Sequence, residues 1–280
     1  MKKKLFIALP VCAVFAALLG FLLLFKGSDT LTVFQKSNVE HYLASNPFID
    51  EESGDIVRSV AVAAANESQA AQADSFLWFR NRYDSAASHV ELNIAFDTDG
   101  RAYLADSFDS VTDDSVPFER VLTHVVENGD EETGFVINLC EYTALGNLAA
   151  GIEKLGLQYR TVVTGVNENS LPTVKRYFSK TPVLCDYGTD TKSSLETLMS
   201  NGADGIICSF DVFSVSLLNE ARALGLQVWV DCESDVYATL TSLYYCVDGI
   251  VSSNPDMATF ALESWGETLL DEIVCNFYEE

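Results

Sequence analysis

Two groups of side chains in this sequence have the types and spacing to do chemistry. The first is acidic. The stretch VELNIAFDTDGRAYLAD, residues 90–106, has the pattern of two short strands about a turn and holds Glu91, Asp97, Asp99 and Asp106. Such carboxylates suit a hard cation, calcium or magnesium. Glu91 and Asp106 are the candidate metal ligands, with Asp186 or Asp231 as further ones. No histidine, arginine cluster or thiol accompanies them within the stretch. The second group is a set of thiols. Cys140, Cys185, Cys208 and Cys232 each close an apolar run, with Glu141, Asp186, Asp211, Asp231 and Glu233 beside them. A thiol–carboxylate rim could bind a soft or borderline metal or form disulfides. The same cysteines equally suit tight packing as small apolar side chains, and the acids suit solvated loops. No CxxC occurs among the seven cysteines, which excludes a zinc ribbon or a thioredoxin-type motif.

These residues need elements to hold them. Short β-branched runs alternate along the chain with stretches of helical period. The strand candidates are VRSVAVAA (57–64), HVELNIAF (89–96), GFVINLC (134–140), YRTVVTG (159–165), TPVLC (181–185), DGIICSF (204–210), LQVWVDC (226–232) and DGIVSS (248–253). Between them lie helical runs such as SFLWFRNRY, PFERVLTHVVEN, LPTVKRYFS, SSLETLMSNG and SVSLLNEARALG, two of them closed by Gly202 and Gly225. Strands alternating with helices mean parallel βα units. Eight of them predict an α/β chain folded as a (β/α)8 TIM barrel. GADGIICSFD and CVDGIVSSNPD echo each other, both running Asp-Gly-Ile into an apolar strand. A doubly wound open sheet is the other architecture, but no GxGxxG or P-loop follows any strand. Aromatic residues such as Trp78, Phe79, Tyr83, Trp229, Tyr237, Tyr244 and Tyr245 fall at helical or strand spacing, as core residues do.

Ahead of the barrel stand MKKK and an uncharged apolar run, residues 5–25, closed by Lys26. That length spans a bilayer, whereas a cleaved signal has a shorter apolar core. The expected organisation is a transmembrane signal anchor over 1–26, a polar stalk over 27–54 and the barrel over 55–280. The lysines would lie inside and the body outside, as in a single-pass plasma-membrane protein. A long cleaved signal peptide is the alternative. Cys12, in LPVC, lacks the small residue expected before a lipidated cysteine, and Asn66-Glu67-Ser68 is a formal glycosylation sequon. The chain of 280 residues carries a formal charge of −24, with 17 basic and 41 acidic residues. Nucleic acid and anionic lipid surfaces are therefore excluded as partners of the body, since binding them rests on Lys and Arg. A free phosphate ester needs a cation to enter such a field.

The segment ELNIAFDTDGRAYLADSFDSVTDDSVPFERVL resembles the core of the glycerophosphodiester phosphodiesterase family. Glu91-Leu92-Asn93, Asp99-Gly100, Ala105-Asp106 and Val116-Pro117 through Leu122 fall in the order and spacing of that family's E-L-D-V-x-x-T-x-D-G strand, His-Asp ending and Pro-led helix. ALGLQVWVDCES and CVDGIVSSNPDMA resemble its last two strands. The resemblance covers about residues 57–262 and implies a TIM barrel acting on glycerophosphodiesters with two histidines and a divalent cation. It places the first family histidine on Ala64, within Ala64-Ala65-Asn66, and the second on Ala105. A Pro-Glu-Asn-Thr motif falls on Gln72-Ala73-Asp74-Ser75. The metal-binding acid pair survives as Glu91 with Asn93 as its mate. A further acid falls on Cys140, or on Glu141 if the register slips by one, and its lysine on Tyr142.

The three histidines, His41, His89 and His124, fall in the stalk, ahead of a strand and in a helical run, away from the strand ends where barrel sites lie. The expectation is a membrane-anchored, extracytoplasmic barrel that has lost its catalytic residues and serves as a binding or scaffold module for a glycerophosphodiester or protein ligand. The alternatives are a residual metal-dependent hydrolase working through Glu91 and Asp106, and a thiol- or metal-binding protein using the cysteine rim.

Overall fold

The computed structural model describes residues 31–48, 60–65, 79–80, 83, 85–128 and 132–278. The anchor segment 1–26, Cys12, the sequon and the Gln72-Ala73-Asp74-Ser75 stretch lie outside them. Among the described residues no helix is long and apolar enough to cross a membrane.

Eight parallel strands close into a barrel: β1 (Ala61–Ala64), β2 (His89–Phe96), β5 (Gly134–Leu139), β6 (Thr161–Val166), β7 (Val183–Asp186), β8 (Gly205–Ser209), β9 (Gln227–Glu233) and β10 (Gly249–Ser252). β1 completes the ring by pairing with β10 on one side and β2 on the other. Each expected strand is present, so the (β/α)8 barrel stands. Two further strands, β3 (Ala102–Leu104) and β4 (Val116–Pro117), extend β2 as an antiparallel flap outside the ring. The 90–106 stretch is thus a hairpin between a barrel strand and the flap, turned at Gly100, whose φ is 75°.

An outer layer of helices covers the barrel: α2 (Phe118–Glu127), α3 (Leu145–Lys154), α4 (Leu171–Tyr177), α5 (Leu195–Ser200), α6 (Val215–Ala223), α7 (Val236–Tyr244), α8 (Pro255–Glu263) and α9 (Leu269–Phe277). Their burial follows the helical period. α2, for example, buries Phe118, Val121, Leu122 and Val125. Several start on side-chain caps that satisfy the first free N–H groups. Ser194, Ser214, Asp235 and Asn254 accept from Thr197, Leu217, Ala238 and Met257.

Strands covered on both faces are apolar on both, so alternation decides which side chains fill the barrel and which meet the helices. The interior holds Ala63, Ala65, Val136, Val162, Leu184, Trp229 and Val251. Trp229 is the largest of them. A Cβ on Gly249 would overlap its indole, and His89 meets it edge-on at 5.7 Å between ring centroids. The repeated Asp-Gly-Ile is part of the same construction. Asp204 and Asp248 accept the N–H of Val183 and Val228 on the preceding strand, each at 2.8 Å, while Gly205 and Gly249 admit a crowded neighbour.

Part of the segment read as a polar stalk is instead docked on the barrel. Residues 31–48 contain α1 (Val33–Leu43), opened by a capping box between Thr32 and Gln35. Val39 and Leu43 are buried, and Tyr42 stacks on Tyr244 of α7 at 4.4 Å. The indole N–H of Trp265 donates to Ser45 O at 2.7 Å, and the Cys246 thiol to Pro47 O. The polar composition hides this docking because a single short apolar stripe carries it.

His89 begins β2 and plugs the barrel floor, far from the strand ends that serve a mouth. Burial lowers its pKa from 6.5 to about 4. The unfolded chain therefore takes up a proton near pH 6.5 that the folded chain refuses until about pH 4. The stability associated with neutral His89 is complete above the upper value and is lost as pH falls through the lower one. Unfolding followed between pH 7 and 4 should show a loss on the order of 3 kcal/mol from this group, a loss removed in His89→Gln.

Candidate functional site

The C-terminal ends of the strands form the mouth, where barrel sites lie. On its β2–β5 side, neighbouring strands place two asparagines in register, Asn93 opposite Asn138. Asn138 Nδ2 donates to Asn93 Oδ1 at 2.7 Å, and Asn93 Nδ2 donates to Asp106 Oδ1 at 2.7 Å. An amide chain thus runs from β5 across β2 to the carboxylate beyond β3.

Cys140 follows β5 at the next inward position. Its N–H donates to Ile94 O at 3.1 Å and its Sγ lies 3.5 Å from Ala105 O. Burial, with the negative charges of Asp106, Glu141 and Glu91 behind it, pushes this thiol up to about 11. Cys140 is therefore a neutral thiol at physiological pH. Glu141 is turned away, its Oε1 accepting Phe96 N at 2.6 Å to cap β2. The one-residue slip that would bring Glu141 into the mouth is closed by that bond.

The β6–β9 side holds a cleft of about 610 Å³. β6 breaks its pairing with β7 between Val163 and Val166, and Gly165 adopts φ 70°. A side chain at Gly165 would run into Asn138 and the Leu139 backbone, so the irregularity needs glycine. The carbonyl of Gly165 accepts from Tyr142 Oη at 2.6 Å. The N–H groups of Gly165 and Val166 donate to Asp186, whose side chain is exposed at the mouth and whose pKa is nevertheless raised by the desolvation that the surrounding strand ends impose. Asp231 is raised by burial as well, with Glu233 adding repulsion and the Glu233 N–H opposing it. Glu91, Asp186 and Asp231 all line this one cleft.

The four cysteines do not make a rim. Cys185, Cys208 and Cys232 occupy outward positions and pack in the core between barrel and helices with Ile206, Val228 and Val230. Cys232 Sγ lies 3.6 Å from Ser242 Oγ on α7, and Cys208 also touches the cleft. Burial pushes all three up to about 12. The six described cysteines are all free thiols. Alternation is the physical reason: Leu184, Ile207 and Asp231 take the inward places next to them.

The donor set does not fit the divalent cation that the family resemblance implies. Asp106 and Asn93 are engaged with each other, and Cys140 replaces an oxygen ligand with a protonated sulfur. Among the described residues no three His, Cys, Asp or Glu side chains converge to hold an ion. Glu91 and Asp106 share the mouth but only Glu91 lines the cleft.

On the first strand the resemblance points to Ala64. Ala64 belongs to the outer core, whereas Ala63 and Ala65 face the barrel interior. The side chain that a mouth could use is therefore that of Ala65. Ala105 lies beside Asn93, accepting no side-chain role, with its N–H on Asn93 O at 3.1 Å. Both positions are methyl groups. His124 sits on α2 edge-on to Phe79 and Tyr83, and His41 is on α1. No imidazole of the chain reaches the mouth. Asn138, Thr164 and Gly165 were missed as mouth residues. The Thr-Gly pair at a strand's end is the signal that could have found them.

No protein-family model and no curated protein matches the sequence. Solved structures do resemble the fold. A glycerophosphodiester phosphodiesterase from Parabacteroides distasonis superposes with a TM-score of 0.60 at 15% identity, covering 74% of this chain and 98% of that one. One from Agrobacterium tumefaciens gives 0.54 at 16%, covering 72% and 99%. A phosphodiesterase from Oleispira antarctica, solved with the product sn-glycerol-3-phosphate, gives 0.58 at 13%, covering 73% and 97%. The barrel of this chain therefore has the fold of the glycerophosphodiester phosphodiesterases.

The thiol assignments make a direct prediction. Alkylation of the native protein at pH 8 should modify exposed Cys275, while Cys140, Cys185, Cys208 and Cys232 react only after unfolding, as read by peptide mass analysis.

Proposed function

We propose that this chain is a diverged member of the glycerophosphodiester phosphodiesterase family, impaired in catalysis, that acts as a binding or scaffold module. The observation that supports this most is the lack of an imidazole at the two positions where the resemblance calls for proton-transferring histidines, Ala64 and Ala105, with the inward neighbour Ala65 a methyl group as well. Loss of a general acid or base typically costs about 10²–10⁴ in rate, and two such losses compound. The remaining groups do not restore the chemistry. The Cys140 thiol is too weak an acid at about 11 to be ionised near neutrality, and the Asn138–Asn93–Asp106 chain occupies the atoms a cation would need. The net charge of −24 further opposes an anionic diester that arrives without a cation.

The anchor segment completes the reading. An uncharged run over 5–25 behind three lysines would hold the protein at the plasma membrane with its barrel outside. With α1 docked on the barrel, such an anchor would hold the body on a shorter tether than a free stalk would give.

The test is hydrolysis. The purified full-length chain, incubated with glycerophosphocholine and related diesters with and without calcium or magnesium, should release no glycerol 3-phosphate above the protein-free rate. Metal-dependent release abolished by Glu91→Ala would overturn the proposal and require a mechanism without histidine.

A further inference from the structure

The first two residues of α1, Val33 and Phe34, are 89% and 72% exposed. Among the described residues no large apolar side chain is more exposed than Val33. The pair is held in place. The capping box between Thr32 and Gln35 fixes the start of the helix, and Val39 and Leu43 fasten its later turns to the barrel.

The direction of α1 decides which end of the barrel this pair marks. Its contacts advance in step along α7: Asn38 Nδ2 donates to Tyr237 Oη at 3.4 Å, Tyr42 stacks on Tyr244, and Pro47 O accepts from the Cys246 thiol. The two helices therefore run parallel. α7 leaves the C-terminal end of β9 and leads to the N-terminal end of β10, so it descends from mouth to floor. α1 descends with it, and the Trp265 indole, beyond α8, holds its far end through Ser45 O. Val33 and Phe34 thus stand at the mouth end, roughly 6–8 Å before Asn38 along the helix axis at 1.5 Å per residue.

The chain leading to the pair supplies what covers it. The uncharged run 5–25 ends at Lys26, and from there to Val33 even a fully extended chain reaches at most about 25 Å. The charge agrees. Of the 41 acidic residues only Asp29 and Glu40 fall between 27 and 48, so this part of the chain is nearly neutral in a strongly acidic body. Lys36, exposed one helical turn after Val33, can lay its stem along the apolar pair with its ammonium at headgroup phosphates.

We propose that Val33 and Phe34 seat in the interface of the bilayer that the anchor enters, with Lys36 at the headgroups, so that the barrel stands mouth-first on the membrane. The mouth then opens onto the headgroup layer rather than onto bulk solvent. The acids lining its cleft favour a leaflet without net negative charge. The inference rests on the anchor reading of residues 1–26 and adds an orientation to it.

The test uses the full-length chain reconstituted in phosphatidylcholine vesicles, with a tryptophan placed in turn at each end of the barrel. Phe34→Trp puts it at the mouth end. Tyr159→Trp puts it at the floor, where Tyr159 stands 80% exposed just ahead of β6. Both sites are exposed, so both variants should keep the parent melting temperature. Lipids brominated near the headgroup end of the acyl chain quench an indole that enters the interface. Relative to the parent chain, the added emission of Phe34→Trp should be blue-shifted and quenched several-fold more strongly than that of Tyr159→Trp. Stronger quenching at 159 would mean a floor-first barrel, and equal quenching at both, or none at either, a body on its side or held off the surface. Each of these overturns the proposal while leaving the anchor intact. So does a blue-shifted but unquenched Phe34→Trp emission, the mark of a second copy covering the pair. Retention of the chain on the vesicles through alkaline carbonate is read separately: its loss overturns the anchor reading itself, and the orientation with it.

Discussion

The structure depends on how a closed barrel is filled from strands that are apolar on both faces. One large side chain, Trp229, takes the interior, and Gly249 makes room for its ring, with His89 edge-on at the floor and Ala63 and Ala65, on and just after β1, in the same inner cluster. Closing the ring around that indole fixes which member of each adjacent pair looks inward. Everything at the mouth inherits the choice. Cys185, Cys208 and Cys232 turn to the helices because Leu184, Ile207 and Asp231 turn in, and Ala65 rather than Ala64 faces the barrel interior.

That constraint also bears on how an acidic mouth stays ordered. Removing imidazoles and a carboxylate from a cluster of acids would leave charges facing one another at close range. Here the Asn93 amide stands where a second acid would repel Asp106 and instead donates to it, while accepting from Asn138. Cys140 fills the third position as a neutral thiol, and Glu141 is drawn off to cap β2 at Phe96. The β2–β5 side is thereby closed on itself. The negative charge that remains is gathered on the other side, in the cleft of Glu91, Asp186 and Asp231.

Much of the fold was legible in the sequence because each barrel strand is an apolar run bounded by helical text, and the bounds agree within a few residues. Side-chain direction was not. In AVAAA and in buried runs such as VLC and IIC, both parities are apolar, so nothing local tells inside from outside. The choice between Cys140 and Glu141 is decided by a backbone N–H on another strand, which spacing along the chain does not reveal. The irregularity at Thr164 and Gly165 is likewise set by the approach of Asn138, and α1 by contacts with α7 almost 200 residues away. What failed to be legible is what depends on the partner strand. The acids were the exception: Glu91 was a candidate from the hairpin stretch and Asp186 and Asp231 from their place beside strand-closing cysteines, and one cleft collects them.

The central claim is that this mouth keeps the barrel of the glycerophosphodiester phosphodiesterases and refuses their phosphate ester. Equilibrium binding of sn-glycerol 3-phosphate to the purified full-length chain, with and without magnesium, tests it most directly. No saturable binding is expected at millimolar ligand in either condition. Saturable binding that requires magnesium and is lost in Glu91→Ala would contradict it, because it would show that Glu91 and its neighbours still assemble a cation-bridged anion site.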